Sequence, residues 1–184
     1  MKTIARCPMA PEEFDGLPES TQPFQLIEGQ LVVAPSPDRF HQRLSGIIFA
    51  KIFLYLEDQP GLGEVYQAPF DVQLPGQNVF QPDVMFFGRD HLDRLTDRRA
   101  IGAPDLVVEI LSPSTAGYDL NEKRLHYARS GVAELWIVDP ERKHLRVYFP
   151  GQGIEMPVRV LKAGQVLTTD LLPGFKLPLN RLFR

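Results

Sequence analysis

Between residues 104 and 139 the chain runs from PDLVVEIL through a turn-rich stretch and a helix-period stretch to AELWIVDP, and no other segment limits the fold as tightly. Leu106, Val107, Val108, Ile110 and Leu111 are nearly continuous, the pattern of a central strand covered on both faces. A loop follows over 112–117. Asp119 and Glu122 stand in the N-cap and N3 relation of a capping box, which predicts a helix from about 120 to 130. Gly131 supplies its stop. AELWIVDP (133–140) predicts a second strand, and KHLRVYF (143–149) a third, joined by a tight turn at Asp139-Pro140. Strand, helix and strand in that order imply a crossover with a parallel pair.

The flanks read differently. FQLIEGQLVVAP (24–35) holds two strand-like runs around Glu28-Gly29, where glycine supplies the positive φ of a hairpin turn. Asp38 is the expected N-cap of a helix whose apolar residues, Leu44, Ile48, Ile52 and Tyr55 among them, recur at steps of three and four until Pro60-Gly61. Residues 63–74 predict one strand and 79–88 another, paired as a hairpin through Pro75-Gly76. A short helix is expected within 8–20, ending at Gly16, and 89–99 reads as a polar surface helix or loop. The expectation is a single α/β domain over 1–184, a mixed β-sheet flanked by helices. Its core spans about 24–149, and a strand-rich extension covers 150–184. The 184 residues, 43% hydrophobic and 23% charged, suit one such domain and exclude a disordered chain.

Several function classes drop out. Cys7 is the lone cysteine, so neither an internal disulfide framework nor a cysteine-ligated zinc site is available. No GxSxG, GxxxxGK[ST] or GxGxxG is present. The first ten residues lack the apolar core of a signal peptide, and no apolar run is long enough to span a membrane. A soluble, cytoplasmic protein without membrane partners is expected. The formal charge of −3 argues against a nucleic-acid coat protein. The charge is uneven, however. The first 140 residues carry 12 Lys and Arg against 20 Asp and Glu, and the last 44 carry 8 against 3. That basic tail suits either a phosphate-facing surface or a solvated charged face.

Three residues raise chemical questions. Glu109 sits inside the most apolar strand, where an ionised carboxylate costs several kcal/mol unless paired or ligated. A structural ion pair would answer that as well as a metal or a cleft. Asp83, in QPDVMFF, is an acid in a strand context that disfavours it, although an Asp capping a turn would also account for it. Lys123 shares a helix stripe with Leu120 and Tyr127, and that stripe should face the sheet near Glu109. The bland alternative is a lysine whose amine reaches solvent. Two converging carboxylates form a hard oxygen site suited to Mg²⁺ or Mn²⁺, and a lysine beside them suits metal-assisted phosphodiester hydrolysis.

LIEGQLVVAPSP, His41, QPDVMFF, PDLVVEILSPST and NEKRLHYARSGVAELWIVDP together closely resemble a bacterial restriction-endonuclease-like family of unknown function within the PD-(D/E)xK nuclease superfamily. The resemblance covers about residues 24–149. It implies a restriction-endonuclease-like core, divalent metal, and nucleic acid, DNA first, as substrate. On it Asp83 matches the acid of the PD motif, Glu109 the acid of (D/E)xK, and Glu28 the N-terminal acid that completes such sites. The superfamily's lysine position falls on Leu111 here, and Lys123 from the following helix matches the substitute. His41 and Gln81 are candidates for contact with nucleic acid. A homodimer is expected by analogy with nucleases that cut two strands. The departure at Leu111 keeps a second reading open, a nuclease-fold protein without turnover that binds nucleic acid or regulates.

Overall fold

The computed structural model describes residues 2–3, 8–18, 24–33, 36–112 and 123–184. The N-terminal part holds β1 (Lys2–Thr3), α1 (Pro11–Asp15), β2 (Phe24–Ile27), β3 (Gln30–Val33) and α2 (Arg39–Glu57). The middle holds β4 (Gly63–Gln67), β5 (Asp71–Leu74), β6 (Asn78–Phe80), β7 (Val84–Gly88), a 3-10 turn at Arg89–Arg94, β8 (Arg99–Ile101) and β9 (Leu106–Ile110). Then come α3 (Arg124–Ser130), β10 (Glu134–Asp139), β11 (His144–Tyr148), β12 (Arg159–Lys162), β13 (Val166–Leu167), β14 (Leu177–Pro178) and α4 (Leu179–Leu182).

Among the described residues the main sheet has the order β12-β11-β10-β9-β7-β4, and a second six-stranded sheet the order β1-β3-β2-β6-β5-β8. β9 and β10 are parallel, in the register Leu106 to Glu134 through Ile110 to Val138. Their neighbours β7 and β11 run antiparallel to them. This is the crossover between antiparallel flanks expected from the sequence. β9 and β10 are buried along their whole length, which explains their near-continuous apolar runs. One face of the main sheet packs on Leu44, Ile48 and Ile52 of α2 and on C-terminal residues such as Phe175 and Leu182. The other face meets the second sheet through Val72 and Phe80 and the helix α3 through Tyr127.

Local chemistry sets the elements that matter for the site. Asp38 Oδ1 accepts the backbone N–H groups of Phe40 at 2.9 Å and His41 at 2.8 Å, which starts α2. Glu28 (φ 48°) and Gly29 (φ 76°) form the two-residue turn between β2 and β3, both left-handed as a primed hairpin turn requires. Gly131, at φ 90°, closes α3. The expected capping box at Asp119 and Glu122, and with it the start of the helix, lies outside the described residues.

One expectation is corrected. Residues 63–74 are two strands, not one, and so are 79–88. β4 pairs with β7 in the main sheet, and β5 pairs with β6 in the second, so the hairpin holds while each arm changes sheet midway. The arms break at Pro69 and Pro82, which have no N–H to give a ladder. Four residues (68–71) on one arm stand against three (81–83) on the other, a bulge that bends the ribbon. The polar stretch 89–99 is the expected surface helix and loop, a 3-10 turn over Arg89–Arg94, and β8 begins at its last residue, Arg99, and joins β5 in parallel. The segment 150–184 carries β12, β13 and β14, and its Leu167, Leu172, Phe175, Leu179 and Leu182 are part of the core under α2.

Candidate functional site

The register of the main sheet creates the site. β7 and β9 are antiparallel with Val84 opposite Val108. One step further that register sets Asp83 against Glu109. Directly opposed like charges are unfavourable, so the arrangement demands positive groups nearby.

Two are present. Glu109 is only 4% exposed and Lys123 only 3%. Lys123 Nζ lies 3.1 Å from Glu109 Oε1 and 3.2 Å from Oε2, straddling the carboxylate. The Tyr127 hydroxyl, one helical turn on, donates to Oε1 at 2.5 Å. Lys123 and Tyr127 therefore do face the sheet, as their stripe predicts. Leu120 lies outside the described residues. The second group is His41, in the first turn of α2, whose Nε2 is 3.2 Å from Asp83 Oδ2. Burial disfavours its imidazolium, but the hydrogen bond to Asp83 and the charges of Asp83, Glu109 and Asp38 prevail and raise its pKa above 6.5. Asp83 Oδ2 also accepts the backbone N–H of Ile110 at 2.6 Å, which ties the start of β7 to β9 beside Glu109.

Asp83, Glu109, Lys123 and His41 are thus brought together. Glu28 does not join them. Its turn leaves the side chain 69% exposed, with Oε1 3.8 Å from His126 Nε2. Among the described residues no group of three or more His, Cys, Asp or Glu is placed to hold one ion. Gln81 donates to Asp71 Oδ1 at 2.8 Å. Arg89, Arg94 and Arg99 are engaged within the chain, on the Gly61 and Ala103 carbonyls and on Asp15. Ser112 ends the described strand region, and Ser114 lies outside it.

Two contributors escaped the sequence reading. The Tyr127 hydroxyl had a signal in its i+4 spacing from Lys123. His126 had none: it is buried, sets its ring edge-on to Phe80, and faces Glu28 from 98 positions further along the chain, so only the folded structure joins them.

Would a divalent cation fit? Two carboxylates on neighbouring strands are the hard oxygen donors that Mg²⁺ takes alongside water, and an ion there would share with Lys123 the task of balancing both acids. The donor chemistry fits. Among the described residues no helix is long and apolar enough to cross a membrane.

Comparison with known proteins agrees with this fold. The crystal structure of a putative nuclease belonging to DUF820 from Anabaena variabilis superposes with a TM-score of 0.80, covering 96% of this chain and 98% of that one at 22% identity. At that identity the likeness is one of fold. A Synechocystis protein, the uncharacterized sll1609, is 24% identical over 106 residues, 57% of this chain. The match spans 59% of that relative's length. The family model "Uma2: Putative restriction endonuclease" matches residues 11–180. With that match running through β2, α2, the Asp83 and Glu109 strands and α3, the chain belongs to the Uma2 family.

Proposed function

We propose that the protein is a divalent-metal-dependent endonuclease that hydrolyses phosphodiester bonds of nucleic acid, DNA first. The observation that carries this reading is the opposition of Asp83 and Glu109 across β7 and β9 with the Lys123 ammonium 3.1 Å from Glu109. Asp83 and Glu109 would hold Mg²⁺ or Mn²⁺ without Glu28, whose side chain stands apart from them. Bound there, the ion would polarise a phosphoryl oxygen and lower the pKa of a coordinated water.

The chain's own groups have separate tasks. Lys123 keeps Glu109 ionised in a buried setting and presents an N–H to the attacking water. Tyr127 fixes the carboxylate's rotation. His41 holds its proton to higher pH than a free imidazole, which suits contact with a phosphate oxygen. Gln81, on the adjoining arm, is assigned to the nucleic-acid side. Cutting both strands of a duplex takes two such sites, so a homodimer is the expected working form.

Plasmid nicking tests the reading. Purified protein with Mg²⁺ or Mn²⁺ should convert supercoiled plasmid to open circles, and Asp83→Asn and Lys123→Met should each abolish this. Intact plasmid in both metals, with linear DNA and RNA equally uncut, would overturn it. One observation favours a second reading, a nuclease-fold protein that binds nucleic acid without cutting: Lys123 and Tyr127 already engage the Glu109 carboxylate. Metal-dependent gel shifts without cleavage would select that reading.

A further inference from the structure

α2 buries Leu44, Ile48 and Ile52 and turns its opposite side outward. At about 100° per residue, Arg43, Gly46, Ala50, Phe53, Leu54 and Glu57 all fall within about 60° of Ala50 on that outer side. It is not a polar surface. Phe53 is 44% exposed and Leu54 60%. Phe49 stacks on Phe53 with 5.8 Å between ring centroids, which holds the exposed ring in place. Gly46 is unexplained within the chain, since a Cβ there would meet nothing within 4 Å. Glycine weakens a helix interior relative to alanine, so an isolated chain gains nothing from it.

The stripe is complementary to itself in one orientation. Arg43 and Glu57 lie seven residues either side of Ala50, Phe53 and Ile47 three, Leu54 and Gly46 four. Arg43 Nη1 donates to the Leu182 carbonyl within the chain at 3.3 Å, which leaves its other N–H groups for a partner. Laid antiparallel on a second α2 about a two-fold axis at Ala50, Arg43 meets Glu57 at both ends. The Phe53 ring then falls over the gap at Gly46, and Leu54 meets Ile47. A parallel arrangement would oppose Arg43 to Arg43 and Glu57 to Glu57. Two-fold interfaces use the same patch on both partners, and this patch meets that condition in charge and in shape.

We infer that a second copy of this chain docks on the outer face of α2, antiparallel, with Phe53 of each copy seated over Gly46 of the other and Arg43 paired with Glu57. This gives the expected homodimer its surface. It rests on the helix alone and not on phosphodiester chemistry. A dimer that fails to nick DNA sinks only the nuclease reading, and a monomer that nicks sinks only this one.

Equilibrium sedimentation of the full chain supplies the test. The wild type should be dimeric at micromolar concentration. Gly46→Leu and Leu54→Lys should each weaken the dimer by at least about tenfold, with unchanged circular dichroism because neither site is packed within the chain. Glu57→Arg should weaken it too, and Arg43→Glu combined with Glu57→Arg should restore it. A wild type that stays monomeric, or a dimer indifferent to Gly46→Leu and Leu54→Lys, overturns the inference. A double variant no tighter than Glu57→Arg alone overturns the antiparallel pairing.

Discussion

Two buried glutamates stand on neighbouring strands of the main sheet, and their surroundings could hardly differ more. Glu109 on β9 points toward the second sheet, and Glu134 on β10 points toward the α2 side. Glu109 is answered by an ammonium, with a second acid and a histidine close by. Glu134 is answered mainly by neutral donors. Trp136 Nε1 donates to it at 2.7 Å, the Thr169 hydroxyl donates to its other oxygen, and Arg159 stands off at 3.7 Å. Burial therefore dominates at Glu134 and pushes its pKa above the usual 4.5. A buried carboxylate is thus not a site in itself. Glu134 fastens the segment around Thr169 to the sheet, whereas Glu109 lies against the Lys123 ammonium beside another acid.

That contrast can be broken most forcefully at Lys123. Lys123→Met strands the Glu109 charge in the interior and should cost about 3–5 kcal/mol of stability in a urea titration. Adding Glu109→Gln should recover much of it. If Lys123→Met alone is neutral, Glu109 is not held as an ion and the two glutamates are alike. Glu134→Gln should cost less, about 1–3 kcal/mol for the one donor that loses its acceptor, and should leave nicking intact. Tyr127→Phe should cost about 1 kcal/mol while lowering nicking, because it frees the rotation of Glu109 without removing its counter-charge.

The smallest effect is a pH slope. A carboxyl whose folded-state pKa is raised favours the folded form most when protonated. Its contribution is complete below about pH 4.5 and is lost as pH rises through the folded value. The stability of Glu134→Gln relative to wild type should therefore grow across that rise and then level off. A flat difference from pH 4 to 8 would mean Glu134 is as well compensated as Glu109.

Much of this was legible in the residues, for traceable reasons. Glu109 stood out because its neighbours are uninterrupted hydrophobes, and Lys123 because a helix stripe must face something. Glu134 did not stand out. It opens its strand, where an acid normally reaches water, and its partner Thr169 lies 35 residues on. The opposition of Asp83 to Glu109 was also hidden, since it depends on the pairing of β7 with β9 and no local spacing encodes that. The alternation over 63–74 read as one strand because side-chain pattern says nothing of which sheet a residue joins. Pro69 was the missed warning.

The ribbon that changes sheets has a mechanical consequence. Two covalent arms pass from one layer to the other at 68–71 and 81–83, immediately beside Asp83. Layers stitched together in this way cannot part like a clamshell to admit a thick polymer. On the nuclease reading, a nucleic acid would have to approach from the rim, and any closing motion would fall to the loops and helices around that rim.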